Sequence, residues 1–189
     1  MSKQGAFLHA IRIAVGAGCL ILAAAGYVLY QRTIVVWWLP LVAAAAIALL
    51  TLPMLSPRWR WLTRSENGRI NGLCHFSIVC VLFYFGLLGG NYWLADPASA
   101  CSETAVVSGR IERTRKEYRY VRRHRRVPTG KIIRTYYLEI VFPDSTRKKL
   151  PVPGALYKKT RTNPEIVLSL QRGFFGYRVV KDRPKVSAK

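Results

Sequence analysis

The chain has 189 residues, with 30 Lys and Arg against 9 Asp and Glu, a formal net charge of +21 and 51 % hydrophobic residues. These averages hide a split: residues 1–100 carry few charges, whereas residues 110–161 carry seventeen Lys or Arg against four acids, Glu112, Glu117, Glu139 and Asp144. Only about 90 residues lie outside the apolar half, enough for one small domain and too few for a large enzyme, and their charge implies contact with something anionic, the plainer alternative being a solubilising surface beside an anionic membrane.

The first apolar segment spans residues 7–30, and its uninterrupted part, 13–30, is 18 residues or ~27 Å of helix. It is too long for a signal peptide, and no small-residue cleavage site follows it. The turn Gln31-Arg32-Thr33 is short, so the next helix must run antiparallel beside the first. That second segment, 34–55, has 22 residues or ~33 Å, and the third, 72–94, has 23 residues or ~35 Å. Each meets the length of a membrane span, and lipid forces such a span to be helical. Trp37 and Trp38, Trp59 and Trp61, and Tyr92 and Trp93 mark the segment ends, where amphipathic rings favour the head-group level.

Ala98-Ser99-Ala100 before Cys101 imitates a processing site, but a third internal span is an unusual place for cleavage. Cys19, Cys74 and Cys80 lie in apolar segments and behave as small hydrophobes, so the cysteines form no disulfide framework. His75 is the ionisable group well inside an apolar run; with no carboxylate in the spans, it reads as a snorkelling or capping histidine near the interface. Gly86 and Gly90 form a small-xxx-small pair that permits close helix packing, within the bundle or to a second copy in a homo-oligomer.

Orientation follows the basic residues. Lys3 and Arg12 precede the first span, and Arg58, Arg60, Arg64 and Arg69 lie between the second and third. The first loop holds only Arg32, and residues 95–109 hold no Lys or Arg. The positive-inside rule puts the amino terminus in the cytoplasm and, after three spans, the tail outside the cytoplasmic (inner) membrane.

Pro97 ends the third helix, and residues 96–103 read as a linker. The predicted β-domain covers 104–182, and residues 183–189 read as disordered. Strands are predicted at 105–121 and 131–142; in the latter, Ile132, Tyr136, Leu138, Ile140 and Phe142 share the face expected to be buried. Pro128-Thr129-Gly130 is turn chemistry, which predicts a long hairpin whose tip carries Arg122, Arg123, His124, Arg125 and Arg126. Residues 142–146 make the next turn. Strands follow at 148–152, 165–171 and 177–181, with one helical turn at 155–160. The fold class is three transmembrane helices followed by a small antiparallel sheet or barrel of about five strands.

The order Val-Val-Ser-Gly-Arg-Ile at 106–111, a basic hairpin, Tyr-Tyr-Leu-Glu-Ile-Val-Phe at 136–142, a Pro-containing short strand and Ile-Val-Leu-Ser-Leu at 166–170 resembles the small β-domains of uncharacterised bacterial inner-membrane proteins. In those proteins such a domain sits outside the cytoplasmic membrane beside two or more helices. The resemblance, over residues 104–182, implies a fold and no activity. Where such proteins have a Gly-Asp turn before the strand that begins here at Glu165, this chain has Arg161-Thr162-Asn163-Pro164.

No phosphate loop, nucleophile elbow or metal-ligand spacing is present, and the scattered acids leave a general base without an orienting partner, so the chain reads as non-enzymatic and without a cofactor. The expected anion-binding residues are Arg110, Arg113, Arg115, Lys116, Arg119, Arg122, Arg123, Arg125 and Arg126. Same-face residues of a strand recur about every 7 Å, a spacing suited to a polyanion. The expected partners are the bilayer and either anionic lipid head groups or an acidic envelope protein, in which case the chain would be a structural subunit. Tyr118 and Tyr120 read as core residues by strand alternation, with base stacking as the other role. A cytoplasmic tail would instead meet nucleic acid or the ribosome, which the predicted topology disfavours.

Overall fold

The computed structural model describes residues 3–121, 125–161, 164–182 and 184–186. Three long apolar helices are followed by a nearly closed antiparallel sheet of about six strands. The chain divides into two compact units, residues 1–97 with 172–179, and residues 98–171 with 180–189.

In the first unit, helix α1 (Lys3–Arg32) leads through a short strand β1 (Thr33–Ile34) to α2 (Trp38–Leu55). Helix α1 keeps Gln31 and Arg32, so the reversal expected at 31–33 falls after Arg32. Pro40 is the third residue of α2, in the first turn, where an N–H has no intrahelical acceptor and proline costs little. Beyond Pro53, helical structure continues through a 3-10 turn (Ser56–Trp59) and α3 (Arg60–Thr63). Arg64 then turns the chain in the left-handed region at φ 56°. Asn67 caps α4 (Gly68–Trp93), its Oδ1 accepting from the Arg69 N–H at 2.9 Å. The segments Gly5–Arg32, Trp38–Thr63 and Gly68–Trp93 are each long and apolar enough to cross a membrane.

The bundle is apolar outside and partly polar inside. Leu20, Leu50, Met54 and Leu73 are exposed, while Asn71, His75 and Asn91 are buried among Ala44, Ala48, Val79 and Leu88. Small residues packed closely and hydrogen bonds between segments hold the bundle together. At Gly26 an added Cβ would stand 3.0 Å from the Tyr84 ring, which marks the close approach of α1 to α4.

Residues 172–179 fold with these helices. They include most of strand β6 (Arg178–Val180), whose Val179 and Arg178 pair with Thr33 and Ile34 of β1. The buried Asn91 side chain fastens the preceding turn: its Oδ1 accepts from the Phe175 N–H at 3.0 Å and its Nδ2 donates to the Tyr177 carbonyl at 3.2 Å. Gly173 lies so close to that amide that any Cβ would collide with it.

In the second unit, strands β2 (Asp96–Val121), β3 (Arg125–Val141), β4 (Arg147–Val152) and β5 (Glu165–Arg172) lie in the order β5-β2-β3-β4. The expected linker at 96–103 is therefore strand. The tail expected to be disordered from Arg183 contributes β7 (Lys185–Val186), paired with Val167 and Ile166. Leu138 and Ile140 of β3, Phe142 just after it, Leu150 of β4 and Ile166, Leu168 and Leu170 of β5 form the core, alternating with exposed or half-buried neighbours. Two members of the expected buried face differ: Tyr136 is half-buried, its ring 4.7 Å from that of Tyr157 in helix α5 (Gly154–Lys159), and Ile132 is exposed. The 142–146 turn is as expected, with Ser145 at φ 64° and the Asp144 carboxylate accepting from the Thr146 N–H.

Candidate functional site

Strands β2 and β3 pair far beyond the rest of their sheet. Their ladder runs from Val106↔Val141 to Val121↔Arg125, whereas β4 covers β3 only as far as Tyr136↔Val152. The outer part of the hairpin is thus a two-stranded ribbon. Between Glu112 and Thr135 the sequence holds ten Lys or Arg against two Glu.

The register sorts the charges. Arg113 opposes Thr135 and Arg115 opposes Ile133 on one face; Thr114 opposes Arg134 and Lys116 opposes Ile132 on the other. After Lys116 the register shifts, so that Thr129, Gly130 and Lys131 stand opposite Glu117 before Tyr118↔Pro128 and Arg119↔Val127 resume. Gly130 sits at φ +77°, which a side chain would strain, and Thr129 Oγ1 lies 3.1 Å from the Glu117 carbonyl and 2.9 Å from its Oε2. Pro128-Thr129-Gly130 is therefore a bulge inside the ladder and not the hairpin turn. Strand alternation puts Arg119 and Val127 with the Arg113 face, and Tyr118 and Arg126 with the Lys116 face.

The structure leaves Arg113, Arg115, Lys116, Arg119 and Arg126 exposed along this ribbon. Arg122, Arg123 and His124 lie outside the described residues, as does the side chain of Arg125. Arg110 separates from the set: at the base it opposes Leu138, and with Arg161, Tyr157 and Ser108 it lines an open cleft of 640 Å³. Arg134 and Arg113 are engaged, weakly for groups so exposed: Arg134 Nε is 3.6 Å from Glu112 Oε1, and the Arg113 guanidinium lies 5.7 Å from the Tyr137 ring centre.

Apolar side chains interleave with these charges. Ile132 is 54 % exposed, Ile133 50 %, Tyr118 51 % and Val127 40 %. The expectation that Tyr118 is a core residue fails because the ribbon has outrun the layer that would cover it; the Tyr120 side chain lies outside the described residues.

Within the helical unit of one chain, the Gly86 and Gly90 pair marks no close approach of another described helix. A Cβ at Gly86 would meet nothing within 4 Å, and one at Gly90 would make ordinary contact with Phe175 at 3.5 Å. His75 is not a snorkelling or capping residue either, since it is wholly buried. The Trp59 indole N–H donates to His75 Nδ1 at 2.9 Å, and an indole only donates. The neutral ring therefore carries its proton on Nε2, 3.0 Å from Thr51 Oγ1, which in turn donates to the Ile47 carbonyl at 2.8 Å. Asn71, one turn earlier on α4, accepts from Thr63 Oγ1 and donates to the Ser65 carbonyl. The i, i+4 placement of Asn71 and His75 on an otherwise apolar helix was the signal for this cluster.

Lys148 is the other residue that pattern reading missed. On β4 it faces the core beside Leu150 and Val152, and desolvation pushes its pKa down to about 8. No protein-family model, curated protein or solved structure matches the chain.

Proposed function

We propose that this chain is a non-enzymatic membrane protein whose β2–β3 ribbon lies on an anionic lipid surface. The observation that carries this reading is the mixture on each face of the ribbon: exposed Ile133 and Val127 lie with exposed Arg113, Arg115 and Arg119 on one face, and exposed Ile132 lies with exposed Lys116 and Arg126 on the other. Each cation near an anionic bilayer surface contributes about 1 kcal/mol, and the aliphatic side chains of the face that docks gain by entering the head-group boundary. An acidic protein surface would match the charge and leave those aliphatic side chains without a role.

The proposed location is the inner membrane, with the amino terminus cytoplasmic and the β-unit extracytoplasmic, as in the inner-membrane proteins its strand pattern resembles. It is supported by Arg58, Arg60, Arg64 and Arg69 between the second and third spans and by the absence of Lys or Arg at 95–109. A second reading, single-stranded nucleic acid, draws on the exposed Tyr118 as a stacking platform. It requires the opposite topology.

The test uses the full chain in nanodiscs, with Cys101→Ser and a polarity-sensitive dye on Val127→Cys in one variant and on Ile132→Cys, on the opposite face, in another. Nanodiscs containing phosphatidylglycerol should shift the emission of one of the two dyes to the blue, and raised salt should reverse the shift. Emission at both positions indifferent to lipid charge and to salt, or shifted instead by oligonucleotide in neutral nanodiscs, overturns the lipid reading.

A further inference from the structure

We infer that the helical unit holds one phospholipid acyl chain in a crevice between α2 and α4, closed at its outer end by the 173–177 turn. The crevice has a volume of 410 Å³, within the range of ligand sites, and its lining includes Leu39, Val42 and Ala43 of α2, Leu87 of α4, Phe175 and Tyr177. Its lining residues are aliphatic and aromatic, with Tyr177 the one that carries a polar side-chain group, which suits a hydrocarbon occupant.

Depth and continuity identify that hydrocarbon. Ala43 lies five residues from the start of α2 and Leu87 six residues from the end of α4, which puts both about 8–9 Å inside the same end of the bundle. Its lining includes exposed Val42, which with exposed Leu41 belongs to a helix long and apolar enough to cross a membrane. At that depth the surrounding medium is acyl chain. Moreover, the lid is built and not a drifting loop. Asn91, 1 % exposed, spends both ends of its amide on Phe175 and Tyr177, Gly173 is the residue its proximity tolerates, and β1 clamps Arg178 and Val179. This arrangement sets Phe175 over the crevice and leaves the neighbouring Phe174 exposed, where an aromatic ring suits the membrane interface.

The inference rests on the helices crossing a bilayer and is independent of the ribbon. Its test therefore uses a neutral lipid, to which ribbon electrostatics contribute nothing. The full chain is purified in detergent with palmitoyl-oleoyl phosphatidylcholine, exchanged into lipid-free micelles and weighed by native mass spectrometry. The wild type and a Leu50→Phe control, altered on the outer surface, should each retain one phospholipid, and Ala43→Phe, which fills the crevice, should lose it. Phe175→Ala leaves both helices intact and should also release the lipid, so it gives the readout if Ala43→Phe fails to fold. No lipid on the wild type, equal retention by Ala43→Phe and Leu50→Phe, or wild-type retention by Phe175→Ala overturns the inference. A chain recovered without detergent would instead refute the membrane reading itself.

Discussion

A flat lipid surface touches one face of a ribbon, and this gives the sharpest test of the electrostatic reading. Replacing Arg113, Arg115 and Arg119 by Gln removes three cations from one face; replacing Lys116, Arg126 and Arg134 removes three from the other. At about 1 kcal/mol each, the set facing the lipid is worth about 3 kcal/mol, a loss of about a hundredfold in affinity. The set facing away stands about 10 Å further out, roughly one Debye length at 0.1 M salt, and should cost several-fold only. Removing Arg134 also frees Glu112, but their exposed 3.6 Å contact is worth well under 1 kcal/mol. The assay is cosedimentation of the full chain, in neutral nanodiscs, with phosphatidylglycerol vesicles across a salt series. One triple variant should lose most of the binding and most of the salt slope. Equal losses from the two variants, or none from either, would refute docking by a face.

Three further predictions concern stability. Asn91→Ala removes two hydrogen bonds and orphans the Phe175 N–H, while the Tyr177 carbonyl keeps Gly173 as donor; the cost of about 2 kcal/mol should accelerate tryptic cleavage after Arg172 and Arg178 about thirtyfold. Trp59→Phe leaves His75 Nδ1 without its donor and should lower the denaturation temperature in detergent by an amount equivalent to about 1–3 kcal/mol. For Lys148 the unfolded chain holds its proton to about pH 10.5 and the folded chain only to about 8. Between those values the unfolded state binds more protons, so stability rises with pH there, and the full penalty of about 3 kcal/mol stands below pH 8. Lys148→Met should abolish that rise in unfolding curves taken from pH 7 to 11; a rise that persists means another group titrates.

The three long apolar helices were legible from segment length and hydropathy, and the five longer strands from their alternation and turn residues. The details that failed depend on where a layer ends. Alternation in β3 places Ile132 with Leu138 and Ile140, yet β4 stops at Val152 opposite Tyr136, so Ile132 has the right parity and no layer over it. Pro128-Thr129-Gly130 serves equally as a turn or as a bulge, because both need one left-handed residue and tolerate a missing N–H. Only the pairing of Tyr118 and Arg119 with Pro128 and Val127 decides between them, and that pairing is invisible in a linear pattern. The same holds for 185–186, too short to carry a period but fixed by pairing with β5.

Within the bundle, hydropathy reads depth and is blind to direction. Trp59 lies where a head-group aromatic belongs and still points its N–H inward to His75, because the helix carries on through the 3-10 turn and rotates the indole toward α4. A buried amide or imidazole with no partner would cost several kcal/mol, so each must be answered by a specific group on another segment. His75 is answered by Trp59 and Thr51, Asn71 by Thr63 and Ser65, and Asn91 by the 173–177 turn. Apolar contacts between uniformly apolar helices fix no unique rotation, whereas these pairs are directional. The few polar residues of the spans therefore set the phase of α4 against its neighbours, and that phase is what forms the crevice between Ala43 and Leu87.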